Sequence, residues 1–172
     1  QMIHSVYGTS MDVGSGEDRG LVLFPGVEYK VFASRGTEWS IDSINVTPVA
    51  GETTAGLTFY LRRVVPTTNY LATEYHVHMV GSHDSAVSRK DRLRTMVAEG
   101  VEFFAATDHD YITDLTPEVE EMGLSRIVRA IPGLETTPFS FGHFQGWPMN
   151  YDSTSPTGGA VDWARGMDGF AM

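Results

Sequence analysis

The chain has 172 residues, which is enough for one large domain or two small ones. Its formal charge is −10 and it contains only 12 lysines and arginines, so nucleic acid is not expected as a partner. Cysteine is absent, which excludes disulfides and thiolate zinc sites, and any metal must be held by imidazole and carboxylate. No apolar run is long enough to cross a bilayer, so the sequence predicts no membrane span.

Residues 1–70 are typical of short β-strands separated by turns. Pro25 and Gly26 stand between apolar runs, which predicts a turn of the hairpin type. Apolar and polar residues alternate from Ile44 to Pro48 and from Leu57 to Arg63, the period of half-buried strands. Together these segments predict a small N-terminal β-sandwich. No residue in this half indicates catalysis.

After a linker-like stretch at residues 66–70, the pattern changes to strands that alternate with helices. A first strand is predicted to end near residue 77. A helix then runs from about Arg89 to Glu99, with Ser88 as its N-cap and Gly100 as its C-cap. This alternation predicts an α/β domain with a parallel sheet, next to the all-β first half.

Two further strands and a second helix are predicted downstream. Val101 to Thr107 forms the second strand. The second helix begins with Thr116 as N-cap and Pro117 at the first helical position. Ile127 to Ile131 forms the third strand, and the tail is predicted to be loop-like and then weakly helical from about Val161.

Imidazole and carboxylate side chains stand at or just past the ends of these predicted strands. His76 and His78 are two residues apart in an apolar run, so in a strand they project from the same face. Asp108 and His109 follow the second strand, and Glu135 follows the third. Because parallel strands bring their carboxyl ends to one edge, we expect these groups to lie close together.

Five of the six histidines lie between residues 76 and 143. A single histidine at such a place is more often structural or simply polar than a ligand. Several imidazoles and carboxylates at one edge are different, because unpaired buried polar groups are costly unless a cation balances them. Imidazole and carboxylate without thiolate suit zinc, manganese or iron, in sites that keep a position open for water. The sequence therefore predicts a site for divalent metal ions.

Four motifs in order carry a resemblance to a known family. They are HVH at residues 76–78, followed by Ser82 and Asp84, then TDHD at 107–110, PGLE at 132–135 and GHF at 142–144. This series resembles the ordered motifs of the PHP (polymerase and histidinol phosphatase) family of metal-dependent phosphoesterases. Within the family, the carbaryl-hydrolase-like branch, in which a β-sandwich often precedes the catalytic domain, is the most similar. The phrases that carry this similarity are DRLRTMVAEGVEFFAATDHD and IPGLETTPFSFGHF. The match covers about Leu71 to Trp147.

The first half carries a shorter resemblance. PGVEYKVFASRG at residues 25–36 is similar to the carboxypeptidase-regulatory or transthyretin-like sandwich module, and a generic hairpin explains the phrase equally well. The two resemblances imply a β-sandwich over residues 1–70. They imply that residues 71–172 are the first part of a distorted seven-stranded β/α barrel of the PHP type.

The resemblance implies up to three metal ions held by six side chains, which are His76, His78, Asp84, His109, Glu135 and His143. His76 and His78 would hold the first ion, with Glu135 bridging to a neighbour. His109 and Asp84 would serve the second ion. His143 would join Glu135 on the third.

Three more residues would support this site. Asp108 is either a ligand or a support that orients His109. His83 is expected to be an exposed neighbour of Asp84, and it is the alternative ligand at that place. Glu74 occupies the position where the family usually has Asp, which would alter a supporting hydrogen bond.

The resemblance implies a hydrolase that acts on a small molecule through metal-activated water, without a side-chain nucleophile. A phosphate ester is the family default, whereas the closer branch suggests an amide, ester or carbamate. The alternative from another class is a binding or scaffold protein with a degenerate metal site. Glu74 favours that alternative, as does the lack of a later His and of an Asp-x-His pair after His143.

The second half is about half of a typical barrel of this kind. We therefore expect the chain to be the N-terminal part of a longer protein, whose remainder completes the site. Sandwich modules like this one often accompany exported proteins, which favours export by analogy, although the compartment stays open.

Overall fold

A computed structural model of the protein describes residues 23–137 and 142–149. The chain divides into two compact units, which are Gln1–Tyr70 with Ala98–Gly100 (unit 1) and Leu71–Val97 with Val101–Met172 (unit 2). The described residues form several small sheets and two helices, so the fold is a mixture of β and α. None of the described helices is long and apolar enough to span a membrane. The predicted tail helix at Val161 lies outside the described residues.

Unit 1 contains one antiparallel pair of strands among its described residues, β1 (Tyr29–Ala33) and β2 (Asp42–Val46). Tyr29 pairs with Val46 and Ala33 with Asp42 at the two ends of the ladder. A turn occurs at Pro25 and Gly26, as predicted, and Gly26 has a φ of 75°, a conformation that glycine adopts without strain. Among the described residues the turn does not join a hairpin, since β1, which follows it, pairs with β2.

The predicted strand from Leu57 to Arg63 is wrong, since only an isolated bridge between Arg63 and Trp39 occurs there. Side chains provide much of the hydrogen bonding that a ladder would need. The Tyr60 N–H donates to Asp42 Oδ2 at 2.8 Å, and the Arg62 N–H donates to Ser40 Oγ at 2.9 Å. The segment is therefore held in place without forming a strand.

Unit 2 is built on a three-stranded parallel sheet in the order β3-β4-β5, as the alternation of strands and helices predicts. The elements along the chain are β3 (Thr73–Val77), α1 (Arg89–Ala98), β4 (Phe103–Ala106), α2 (Thr116–Glu121) and β5 (Arg129–Pro132). The third strand begins two residues later than predicted, because the Ile127 and Val128 N–H groups donate to the Leu124 carbonyl in a turn.

The ends of α1 follow the predicted local signals. Ser88 Oγ accepts a hydrogen bond from the Asp91 N–H at 3.1 Å, and Gly100 has a φ of 77°. The predicted N-cap of α2 is wrong, since Leu115 takes that position and Thr116 is the first helical residue. Asp114 causes the difference, because its carboxylate accepts hydrogen bonds from both the N–H and the hydroxyl of Thr116.

The core of unit 2 lies between the sheet and the helices, where Leu93, Val97, Phe104 and Val119 are buried. A second pair of strands follows, with β6 (Leu134–Thr136) antiparallel to β7 (Phe144–Gly146). Glu135 follows the end of β5, as predicted, and it also lies in the middle of the short strand β6, paired with Gln145.

Candidate metal centre

Backbone pairing brings the polar residues of three segments to one edge of unit 2. The Thr107 N–H donates to the Val77 carbonyl at 2.8 Å, which places the residues after β3 beside those after β4. The Glu135 N–H donates to the Asp108 carbonyl at 3.0 Å, and the Asp110 N–H donates to the Glu135 carbonyl at 2.9 Å. His109 is thereby in register with Glu135.

Glu135 is the common neighbour of four imidazoles and is only 3% exposed. Its Oε2 lies 3.1 Å from His76 Nε2, 2.8 Å from His78 Nε2 and 3.6 Å from His109 Nδ1. Its Oε1 lies 3.0 Å from His143 Nδ1. A single buried carboxylate thus faces four imidazole nitrogens that come from three segments of the chain.

Asp84 stands on the other side of His78 and His109. Its Oδ1 lies 3.1 Å from His78 Nδ1, and its Oδ2 lies 3.4 Å from His109 Nε2. The Ser82 hydroxyl donates to Asp84 Oδ1 at 2.6 Å and accepts a hydrogen bond from the His109 N–H at 3.2 Å. Ser82 therefore links the loop that carries Asp84 to the one that carries His109.

All six residues predicted as ligands lie together in three overlapping groups, within each of which the ligand atoms are no more than 4.8 Å apart. We name these groups cluster 1 (His76, His78, Glu135), cluster 2 (His78, Asp84, His109) and cluster 3 (His109, Glu135, His143). Each cluster can hold a metal ion, and each combines imidazole with carboxylate, the donor set of zinc, manganese and iron sites.

Two buried nitrogens test whether a cation fits these clusters. His78 Nε2 and His109 Nδ1 have no hydrogen-bond partner among the described residues. His78 Nε2 lies 2.8 Å from Glu135 Oε2, but the contact lacks the geometry of a hydrogen bond. Since a buried nitrogen without a partner is costly, a metal ion that accepts its lone pair would relieve the cost. The donor atoms therefore fit a bound cation.

The overlap of the clusters limits how many can be filled at once. A neutral imidazole has one lone pair, so His78 cannot serve clusters 1 and 2 together, and His109 cannot serve clusters 2 and 3 together. Clusters 1 and 3 share only Glu135, which has two oxygens. The described residues could thus hold two ions with three ligands each, Glu135 serving both, while Asp84 faces the other nitrogens of His78 and His109 at 3.1 Å and 3.4 Å.

The carboxylates of the site are in their charged form at neutral pH. The hydrogen bond from Ser82 holds the pKa of Asp84 well below its usual value, against the effect of burial, and His78 lowers that pKa further. For Glu135, burial raises the pKa, but hydrogen bonding and the charges of the surrounding histidines outweigh burial and leave the pKa lowered. Two anionic groups therefore face the place where a cation would bind.

The sequence suggests two roles for Asp108, as a ligand or as a support for His109, and in the structure its carboxylate binds other partners. It is fully buried, its Oδ1 accepts a hydrogen bond from the Met79 N–H at 2.6 Å, and its Oδ2 accepts one from the Thr113 hydroxyl. It belongs to none of the three clusters and makes no hydrogen bond to the His109 ring. Burial raises the pKa of Asp108. Its contacts tie the loop after His78 to the loop after His109.

The other two supporting residues lie at the surface. His83 is exposed, as predicted, with its ring centroid 4.6 Å from that of His109, and it belongs to none of the clusters. Glu74 is also exposed, and its Oε1 accepts hydrogen bonds from the N–H groups of Tyr75 and His76 at 2.9 Å each. Glu74 thus contacts the backbone of the first ligand and makes no hydrogen bond to the ligand rings.

Sequence reasoning missed three residues that hold this site together. Ser82 was noted only as part of a motif, although its spacing of two from Asp84 is a usable signal for a hydrogen bond. Thr113 and Arg92 carry no recognisable motif. Thr113 contacts Asp108 five residues earlier in the same loop, and Arg92 of α1 contacts the His78 carbonyl fourteen residues earlier.

Comparison of the chain with models of known protein families and with curated proteins found no match.

Proposed function

We propose that this chain is part of a metal-dependent hydrolase of the PHP type, most simply a phosphoesterase acting on a small molecule. The observation that carries the proposal is the buried Glu135 carboxylate among four imidazoles, with Asp84 on the far side of two of them. A divalent ion bound there would lower the pKa of water and polarise the bond to be cleaved. The same site would suit an amide, ester or carbamate, as the closer branch of the family implies.

The residues of the chain have separate tasks in this proposal. His76, His78 and Glu135 would hold one ion, and His109, Glu135 and His143 a second. Asp84 would fix the orientation of two imidazoles by accepting their remaining N–H groups. If the remainder of the protein supplies the later ligands of the family, His109 would instead join Asp84 on a third ion, and a later ligand would take its place beside Glu135 and His143.

The fold supports the proposal in outline. We propose that the parallel sheet of unit 2 is the first part of a seven-stranded β/α barrel and that unit 1 belongs to a β-sandwich. Parallel strands joined by helices, with polar groups at their carboxyl ends, are the arrangement in which such barrels place their chemistry.

The test measures hydrolysis of p-nitrophenyl phosphate and p-nitrophenyl acetate by the protein that contains this chain. Treatment with a chelator should abolish hydrolysis, and zinc, manganese or iron should restore it, whereas Glu135→Gln should not recover with any of the metals. The substrate that is cleaved distinguishes phosphoesterase from esterase activity. Hydrolysis that survives exhaustive chelation would refute the proposal, and so would metal binding without hydrolysis of any ester tested.

A further inference from the structure

An open pocket of about 320 Å³ lies beside cluster 1. It is lined by Glu74, His76, Val77, His78, Arg92 and Met96. Two of these residues, His76 and His78, are also members of cluster 1, so the pocket adjoins the place where the first ion would bind. A molecule held in the pocket would lie next to that ion.

Arg92 is the only arginine or lysine among the described residues that line the pocket, and its side chain is anchored. Its Nε donates a hydrogen bond to the His78 carbonyl at 2.9 Å. The guanidinium group is rigid and planar, so fixing Nε also fixes the direction of the two terminal NH2 groups.

The other two arginines of α1 differ from Arg92 in their partners. Arg89 pairs with Glu118 at 3.3 Å, and Arg94 pairs with Asp91 at 2.8 Å. Arg92 makes no ion pair with a carboxylate of the described residues, and the one hydrogen bond of its side chain among them uses a backbone carbonyl. Within the part of the chain that the structure describes, no carboxylate pairs with its charge and no acceptor binds its terminal NH2 groups.

Glu74, the acidic residue of the lining, makes no ion pair with Arg92. Its Oε1 accepts hydrogen bonds from the backbone N–H groups of Tyr75 and His76. In a chain with a formal charge of −10, a fixed guanidinium beside a metal cluster is a local site of the opposite sign.

We propose that Arg92 binds an anionic oxygen group of the substrate, a phosphate or a carboxylate, and so selects negatively charged substrates. The inference rests on the proposed function, because it places that group next to the bond cleaved at cluster 1. The two terminal NH2 groups of a guanidinium match the oxygens of phosphate and carboxylate, and Arg92 brings such a group to the pocket lining.

The experiment measures the binding of inorganic phosphate by titration calorimetry, together with the metal content of each variant, on the protein that contains this chain. Arg92→Gln should weaken phosphate binding on the order of 10- to 100-fold, the loss expected for a hydrogen bond to a charged group, with the metal content unchanged. Arg92→Lys keeps the positive charge but lacks the paired NH2 groups, so its phosphate affinity should lie between that of the unmodified chain and that of Arg92→Gln. Arg94→Gln, on the same helix, should bind phosphate like the unmodified chain.

Two results would overturn the inference. One is unchanged phosphate affinity in Arg92→Gln. The other is loss of metal in Arg92→Gln and Arg92→Lys, which would show that Arg92 only holds the loop of His78 in place. If Arg92→Gln does not fold, the phosphate affinity of Arg92→Lys is compared with that of the unmodified chain, and equal affinities would overturn the inference.

The same titration on metal-free protein separates this inference from the proposed function. The guanidinium does not depend on a metal, so Arg92→Gln should weaken phosphate binding there as well. Failure of the unmodified chain to bind metal would refute the proposed function, while the metal-free comparison would still decide the role of Arg92.

Discussion

Replacing Asp108 tests whether a buried carboxylate holds the two loops of the site together. In Asp108→Ala the Met79 N–H, on a residue with no exposed surface, loses its acceptor, which costs about 1–3 kcal/mol. Loss of the bond to Thr113 adds about 1 kcal/mol, so we expect the free energy of unfolding to fall by about 3 kcal/mol. Asp108→Asn keeps an acceptor for Met79 and can donate to the Thr113 oxygen, so it should cost about 1 kcal/mol or less.

Asp110 provides a matched control. It also accepts one backbone N–H and one threonine hydroxyl, both from Thr137, but it is exposed, so water can replace its carboxylate. Asp110→Ala should therefore cost only about 1 kcal/mol. The assay is urea unfolding in the presence of a chelator, so that metal binding does not add to stability. Equal losses for Asp108→Ala and Asp108→Asn, or for Asp108→Ala and Asp110→Ala, would refute the reasoning.

Three further predictions concern the surroundings of the site and unit 1. Ser82→Ala removes the hydroxyl that joins Asp84 to the His109 N–H, so the metal affinity measured by competitive titration should fall about 10- to 100-fold. Ser85→Ala is the control and should change the affinity little, because the hydrogen bonds of the Ser85 hydroxyl are 3.5 Å long. Equal effects of the two substitutions would contradict this prediction. Gly81→Ala places a methyl group 2.6 Å from Asp108 Oδ2, so the free energy of unfolding measured by thermal unfolding should fall by about 1–3 kcal/mol. An unchanged melting temperature would contradict this prediction. Hydrogen bonds from Arg63 and Thr67 lower the pKa of Glu38 in the folded chain, so the carboxylate contributes stability above its unfolded pKa and loses that contribution as the pH falls through its folded pKa. The difference in melting temperature between the unmodified chain and Glu38→Gln should therefore shrink from pH 7 to pH 3. A constant difference would argue against this prediction.

Local signals predicted the helices and the parallel sheet of unit 2 well. Ser88 and Gly100 mark the ends of α1 because a cap depends on residues that are neighbours in sequence. The prediction of a strand from Leu57 to Arg63 was wrong because a strand also depends on residues that are distant in sequence. Alternation shows which face of a segment is buried, but whether a partner strand exists depends on distant residues such as Asp42.

The members of the candidate site were predictable, but their contacts were not. The spacing of His76 and His78 and the position of His109 after a strand placed their imidazoles at one edge. Asp108, next to His109 in sequence, suggested a ligand, and only the fold shows that it reaches across to Met79. The overlap of the three clusters depends on the position of Glu135 within β6, which local sequence did not indicate.

Elemental analysis of the protein that contains this chain, after loading with zinc or manganese and removal of free metal, tests the central claim most directly. We predict at least two ions per chain, since clusters 1 and 3 can be filled together, and a lower content in Glu135→Gln, which removes the carboxylate that both clusters share. Protein that retains no metal, or Glu135→Gln protein that retains as much metal as the unmodified chain, would contradict the account.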